Sequence, residues 1–239
     1  MKLCVGFMFQ NEADWLKLHM PVWMSASAID GVVAVDGGSS DGGGAYVQEW
    51  VDAYGGVVVN RPWDWKPLDQ ENAVIQAAED AGYDAILFTA PDELWHPVHL
   101  RMIKALLSLG NLMLQFPTYN FVRDRRHYSQ VPPYYPDLHQ RAWLLNRGIR
   151  HVGELDSIPN VSSAQILPVH HIHMYHYSHI KPREGYTLKG LNFHRVKDGL
   201  SPMGELPADV AVSPFPPCIP FSGLQPLDPD VIGDRAPLE

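Results

Sequence analysis

Val32-Val33-Ala34-Val35-Asp36-Gly37-Gly38-Ser39-Ser40-Asp41-Gly42-Gly43-Gly44 joins four small apolar residues to a glycine-rich turn that carries two carboxylates. The apolar run has the length and composition of a short buried strand. In a parallel α/β sheet the ligand-contacting groups gather at the carboxyl ends of strands, which is where Asp36 falls. Glycines let the backbone approach a ligand closely, and carboxylates at this spacing can take hydrogen-bond donors or a cation. Asp, Gly and Ser also build ordinary turns, so this stretch alone leaves a ligand cradle and a plain connection both open.

Working outward, Leu3 to Phe9 reads as a first strand ending at Gln10-Asn11-Glu12, with a helix after it holding Trp15, Leu16, Leu18 and His19. Strands are expected over 31–35, 56–60, 85–88 and 112–116, and helices over 45–54, 70–81, 99–109 and 184–196. Ala73, Ala77, Ala78 and Ala81 predict a narrow apolar helix face for packing on a sheet. The continuous apolarity of Ala85-Ile86-Leu87-Phe88 predicts a strand buried on both faces. This alternation implies an α/β fold with a mainly parallel sheet, right-handed crossovers and flanking helices. Residues 61–69, with Pro62, Trp63, Trp65 and Pro67, read as a loop. Residues 121–135 read as a loop or hairpin over a cleft, and 140–145 and 169–175 as further strands. From Ser201 onward prolines recur too often for regular structure, so 201–239 reads as a Pro-rich C-terminal extension, draped over the domain or disordered.

The length of 239 residues fits one α/β domain with a small appendage. A formal charge of −9, from 18 Lys and Arg against 27 Asp and Glu, argues against a nucleic-acid partner, which needs a basic stripe. It leaves room for a nucleotide held by a metal and backbone amides. Cys4 and Cys218 read as buried thiols of a reducing compartment. No signal peptide is evident, and no apolar run approaches the ~20 residues that span a bilayer, so the expected location is cytoplasmic.

Three polar, acid-bearing segments end strands of the first half: Asn11-Glu12, Asp36 to Asp41, and Pro91-Asp92-Glu93. Parallel strands emit their carboxyl ends on one edge, so the three can line one crevice. In order and spacing, Val5 to Glu12, Val32 to Asp41 and Ile86 to Glu93 resemble the nucleotide-sugar-binding half of family 2 glycosyltransferases of the GT-A fold. The likeness covers residues 3–100 well and extends more loosely to about 196. It implies a GT-A domain over 1–200, with a nucleotide-binding half (1–100) and an acceptor and metal half (101–200). The implied activity is transfer of a sugar from a nucleoside-diphosphate sugar, such as a UDP-sugar, to a hydroxyl of a glycan, lipid or other acceptor. Inversion, a hexosyltransferase type and a divalent cation, Mn2+ or Mg2+, belong to the same expectation.

Carried over residue by residue, Asp36 and Gly37 would meet the nucleobase beside Asn11 and Glu12, and Asp41 would lie near the ribose or close the turn. Asp92 would match the last Asp of an Asp-x-Asp motif, which contacts the metal and donor diphosphate, and Glu93 the glutamate that follows, facing the sugar or acceptor. Ala90 stands where the first Asp of that motif belongs, and Ala binds neither metal nor ribose. An acidic start to a helix is the competing reading of Asp92-Glu93. His170 to His179 is rich in imidazole, which suits transition metals, and the resemblance makes His176 the first candidate ligand and His173 the second. An inverting transfer needs a general base, for which Asp156 is the candidate with Glu154 behind it. Trp95, with Trp63, Trp65, Tyr134 and Tyr135, offers rings for stacking on sugars, and Lys181 and Arg183 offer charge to the diphosphate. A sugar-nucleotide-binding protein without transferase activity is the alternative that Ala90 raises. A nucleotidyltransferase is a further one, which Gln10-Asn11-Glu12 disfavours because that class carries a Gly-rich basic signature there.

Overall fold

Apolar, β-branched runs set between polar turns form the strands of the first half, and the segments between them wind as helices. The computed structural model describes residues 1–132, 137–153, 158–180, 183–207, 210–211, 217 and 219–222. In chain order the elements are β1 (Leu3–Phe9), α1 (Ala13–Ser25), β2 (Gly31–Asp36), α2 (Gly43–Tyr54), β3 (Gly56–Asn60), α3 (Pro67–Asp80), β4 (Ala85–Phe88), β5 (Glu93–Trp95), α4 (Pro97–Ser108) and β6 (Met113–Val122). There follow β7 (His127–Tyr128), β8 (Leu138–Leu144), β9 (His151–Val152), β10 (Ile158–Pro159), β11 (Ile166–Pro168), β12 (Met174–His179), α5 (Arg183–Lys197) and β13 (Ile219–Pro220). Two units partition these elements, one holding 1–117 and 138–174, the other 118–137 and 175–222.

In the first unit β3, β2, β1 and β4 lie side by side in that order and all parallel. β6 is not the next parallel neighbour. β8 inserts between β4 and β6, antiparallel to both, so the sheet is mixed and β6 keeps the direction of β4 from one strand away. α3 packs on β1 and β2, and α2 on β2 and β3, while α1 meets α2, α4 and β5. The expected alanine face of α3 is displaced: Gln70, Val74, Ile75 and Ala78 are its buried residues, and Ala73 and Ala77 are only partly covered. Larger side chains fill the space against Cys4, Val33, Val35 and Ile86, which alanines would leave empty. Gly6 makes that approach possible, since a Cβ there would collide with the Ile86 side chain. On the opposite face Phe7 packs on Trp23 at 5.6 Å between rings. Both are fully buried, and each such side chain contributes about 1.5–3 kcal/mol by leaving water.

The second unit contains the outer half of β6 and β7, which form the expected hairpin through the pair Phe121–Tyr128. Its core is aromatic, with Phe121 stacked on Tyr177 at 4.8 Å. The extension after Ser201 does hold one regular piece: β13 pairs antiparallel with β7, and Phe221 packs edge-on against Tyr119 and Phe121. A two-residue strand survives its proline because Pro220 needs no outward donor at a sheet edge. Cys4 is buried with a free thiol that burial pushes far up, and Cys218 lies outside the described residues. No helix among the described residues is long and apolar enough to cross a membrane.

Candidate functional site

Register brings the first two acid-bearing strand ends together, because Phe9 pairs with Asp36 across β1 and β2, while Gly6 pairs with Phe88 across β1 and β4. The loops after β1 and β2 are then hydrogen-bonded to one another. Gly37 N–H donates to Phe9 O at 2.8 Å, and Gln10 Nε2 donates back to Gly37 O at 3.0 Å. Asn11, held at φ 54°, donates its N–H to Ser39 Oγ and accepts from Ser40 N–H with Oδ1. Asn tolerates this left-handed conformation better than most side chains. Asp41 accepts from Ala13 N–H at 2.8 Å and Gly43 N–H at 2.9 Å, so one carboxylate caps the starts of both α1 and α2. That closes the turn. Asp36 builds the turn with one oxygen only: Oδ1 accepts from Gly38 and Ser39 N–H. Its Oδ2 sits 2.5 Å from where a Cβ on Gly44 would be, so the glycine leaves the carboxylate its place. The loop after β3 lies against the same turn, with Trp63 N–H donating to Gly37 O at 2.8 Å. Trp65 there adopts φ 62°, a strained conformation for so bulky a residue, and its ring meets Trp63 edge-on at 6.0 Å.

The third strand end is a turn, not the start of a helix. Glu93 begins β5, and α4 starts four residues later with His96 as its cap, accepting from Val98 N–H. Glu93 is buried, and both of its oxygens are used. Oε1 accepts from Arg141 Nη2 at 2.6 Å, and Oε2 from Arg141 Nε, Thr89 Oγ1 and Ala90 N–H. Trp95 Nε1 donates to Thr89 Oγ1, and its ring packs edge-on against Phe116. Both expectations for sugar contacts are therefore corrected: Glu93 is 2% exposed and Trp95 fully buried, so neither presents a surface to an arriving sugar. Their chemistry goes into fixing the turn. His19, fully buried on α1, bonds Pro91 O through Nδ1 at 2.7 Å, so Nδ1 carries the proton. Asp92 sits at this clamped turn, 8% exposed.

The histidine-rich segment divides. Residues 169–173 form a turn rather than a strand, so His171 and His173 do not share a strand face. His173 lies 6.5 Å from the ring of His99, which lies 5.4 Å from His96. Burial first, then repulsion from His96, His173 and His171, lowers His99 to about 4; burial also lowers His173. His176 and His179 are in β12, with rings 5.6 Å apart. His176 Nδ1 bonds Asn120 Oδ1 at 2.7 Å, and Asn120 Nδ2 donates to Asp137 at 2.7 Å. Among the described residues no group of three or more His, Cys, Asp or Glu side chains is arranged to hold a metal ion. Asp92, in the first unit, has the carboxylate chemistry that a hard divalent cation takes. Glu154, Asp156, Tyr134, Tyr135 and Lys181 lie outside the described residues.

In the first unit Arg141, His19 and the His151–Glu71 ion pair, 3.0 Å apart, escape the sequence reading, as does Asn120 in the second. Each sits among unremarkable neighbours.

No protein-family profile matches the sequence, and no curated protein matches it. Solved structures do match. The mannosyltransferase PcManGT from Pyrobaculum calidifontis, in complex with GDP-Man and Mn2+, superposes with a TM-score of 0.52 at 16% identity, over 86% of this chain and 66% of that one. S. aureus TarS matches with a TM-score of 0.50 at 12% identity, over 86% of this chain and 41% of that one. A 1–349 fragment of TarS gives 0.50 at 13% identity, over 82% and 64%. The chain thus spans less than two thirds of the length of each of these proteins. What it shares with them is the GT-A glycosyltransferase fold, a mixed sheet with a parallel core between helices.

Proposed function

We propose that this chain is an inverting glycosyltransferase of hexosyltransferase type. It moves a sugar from a nucleoside-diphosphate sugar to a hydroxyl of a glycan, lipid or other acceptor. The observation that supports this most is the Asp36 turn: a buried carboxylate with one oxygen spent on its own turn and the other held open by Gly44, at the carboxyl edge of a parallel sheet. A carboxylate presented this way accepts a donor N–H of a nucleobase, with Asn11, Glu12 and Gly37 framing the base and Asp41 holding the turn. The fold is shared with a mannosyltransferase solved in complex with GDP-Man and Mn2+, which agrees with such a donor.

Asp92 is the carboxylate we assign to a divalent cation, Mn2+ or Mg2+, which when bound would offset the diphosphate charge and stabilise the leaving group. In the transfer, Asp156 or Glu154 takes the acceptor proton as the hydroxyl oxygen bonds to the anomeric carbon. The bond from that carbon to the diphosphate oxygen breaks on the opposite side, releasing the nucleoside diphosphate. The test is a panel of nucleotide sugars with Mn2+, Mg2+ or chelator, read as nucleoside-diphosphate release and as calorimetric binding. Release that depends on an acceptor is expected. Binding without release across an acceptor screen would favour the second reading, a sugar-nucleotide-binding protein, which Ala90 at the position two before Asp92 favours. No binding of any nucleotide sugar would refute both.

A further inference from the structure

The loop after β3 carries costs that its fold does not require. Trp65, at the tip, holds φ 62°, a left-handed conformation that glycine or asparagine adopts far more readily than a bulky side chain. Asp64 fastens it there, with Oδ1 accepting from Lys66 N–H at 3.2 Å across the tryptophan. At the base of the loop Gln70 is 1% exposed. Its Nε2 donates to Arg61 O at 3.1 Å and Pro62 O at 3.2 Å, which fixes the amide and turns Oε1 away from both carbonyls. Among the described residues, Gln70 Oε1 and Arg61 Nη1 are both buried with no hydrogen-bond partner. Backbone strain and two unpaired polar atoms over 61–70 mark a conformation kept for something other than stability.

This loop stands against the Asp36 turn. Arg61 N–H donates to Asp36 O at 2.9 Å, and Trp63 N–H donates to Gly37 O at 2.8 Å. A Cβ on Gly37 would lie 3.3 Å from Trp63 Cβ, so a larger residue there would press on the tryptophan. The Trp65 ring meets Trp63 edge-on at 6.0 Å, and both residues are half-buried. An indole pair therefore adjoins a buried carboxylate that spends only Oδ1 on its own turn. A hexose brings hydroxyl donors but no flat face. A nucleobase brings an N–H edge for the carboxylate and a π-face for an indole at once.

We infer that Trp65, braced by Trp63, is a stacking residue for the base of a nucleotide held at Asp36, and that its strained backbone aims the ring. The inference rests on the nucleotide reading of the Asp36 turn, and it assigns these tryptophans to the base rather than to a sugar. Asparagine accepts the same φ without a ring, whereas phenylalanine keeps a ring on the same backbone.

The experiment compares wild type, Trp65→Asn and Trp65→Phe by calorimetric titration with UDP, GDP, CDP and ADP and by urea unfolding. Trp65→Asn should weaken whichever nucleotide the wild type binds by about 5- to 150-fold, the span of one base stacked on one ring. Its urea midpoint should hold or rise, because the left-handed residue is no longer strained. Trp65→Phe should keep most of the affinity. A ring that serves packing alone gives the opposite pattern, a lower midpoint with unchanged affinity in Trp65→Asn, and that result overturns the inference while leaving nucleotide binding intact. Equal loss of affinity in Trp65→Asn and Trp65→Phe overturns it too, since a ring would then make no difference. A wild type that binds none of the four nucleotides overturns the reading of the Asp36 turn and this inference with it.

Discussion

Glu93→Ala tests whether the Thr89–Asp92 turn is clamped by the buried ion pair. The substitution removes the acceptor for four bonds, from Arg141 Nε and Nη2, Thr89 Oγ1 and Ala90 N–H. It also leaves the Arg141 guanidinium, 19% exposed, without its carboxylate. Breaking one side of a buried pair costs about 3–5 kcal/mol, because the surviving charge is stranded. With a urea slope of about 1–3 kcal/mol/M, the midpoint should fall by more than about 1 M. Glu93→Gln keeps the shape and some of the hydrogen bonds, and should cost about 1–3 kcal/mol. Removing both charges, as Glu93→Met with Arg141→Met, should recover much of the loss in a double-mutant cycle, since no charge is then stranded. Equilibrium urea unfolding checks all three. A loss below about 1 kcal/mol in Glu93→Ala, the range of exposed pairs, would refute the clamp.

Gly44→Ala should separate affinity from stability. The new methyl displaces the Asp36 carboxylate, and nucleotide binding measured by calorimetry should weaken about tenfold, or 1.4 kcal/mol. Ala within α2 gains up to about 1 kcal/mol of helix propensity, so the melting temperature should not fall in parallel. Acidification should destabilise the protein through His99, whose folded value near 4 lies below the unfolded 6.5. Between those values the unfolded chain binds the proton and the folded chain does not, so stability is full above pH 6.5 and declines as pH falls toward 4. Allowing for solvent screening, His99 accounts for about 2 kcal/mol, and His99→Leu should flatten that part of a urea-midpoint profile. His96 and His173 shift the same way and leave a residual slope. Asp92→Asn should lower nucleoside-diphosphate release about a hundredfold, some 2.7 kcal/mol of barrier, in a steady-state release assay.

What the sequence made legible follows from what periodicity records. β1 and β3 appear at their expected limits, and β2 gains only Asp36, because short β-branched runs between polar turns have few other uses. The edge bearing Asn11, Asp36 and Asp92 was legible for the same reason, since parallel direction places strand ends together. β8 between β4 and β6 was not, because strand order is decided by pairing across long sequence separations that no local pattern encodes. The turn over 169–173 reads as strand in the sequence because His171, Ile172, His173 and Met174 alternate polar and apolar, which mimics period two. Glu93 and Trp95 were misassigned because residue type indicates what a side chain can do, not which way it faces. Arg141, reaching Glu93 from 48 residues away, made that difference.

The bonds joining the loops after β1 and β2 have a kinetic consequence. Gln10, Asn11, Ser39 and Ser40 are already tied together when the chain folds, so these loops lose their freedom then and not when a ligand arrives. If the proposed function holds, a nucleotide meeting this cradle should associate in one step, without waiting for a rare open or ordered state. Stopped-flow traces should be single exponentials with rates linear in ligand concentration. Discrimination between bases then lies in how quickly each one leaves, and the heat capacity of binding reflects the apolar area covered rather than any ordering of the loops.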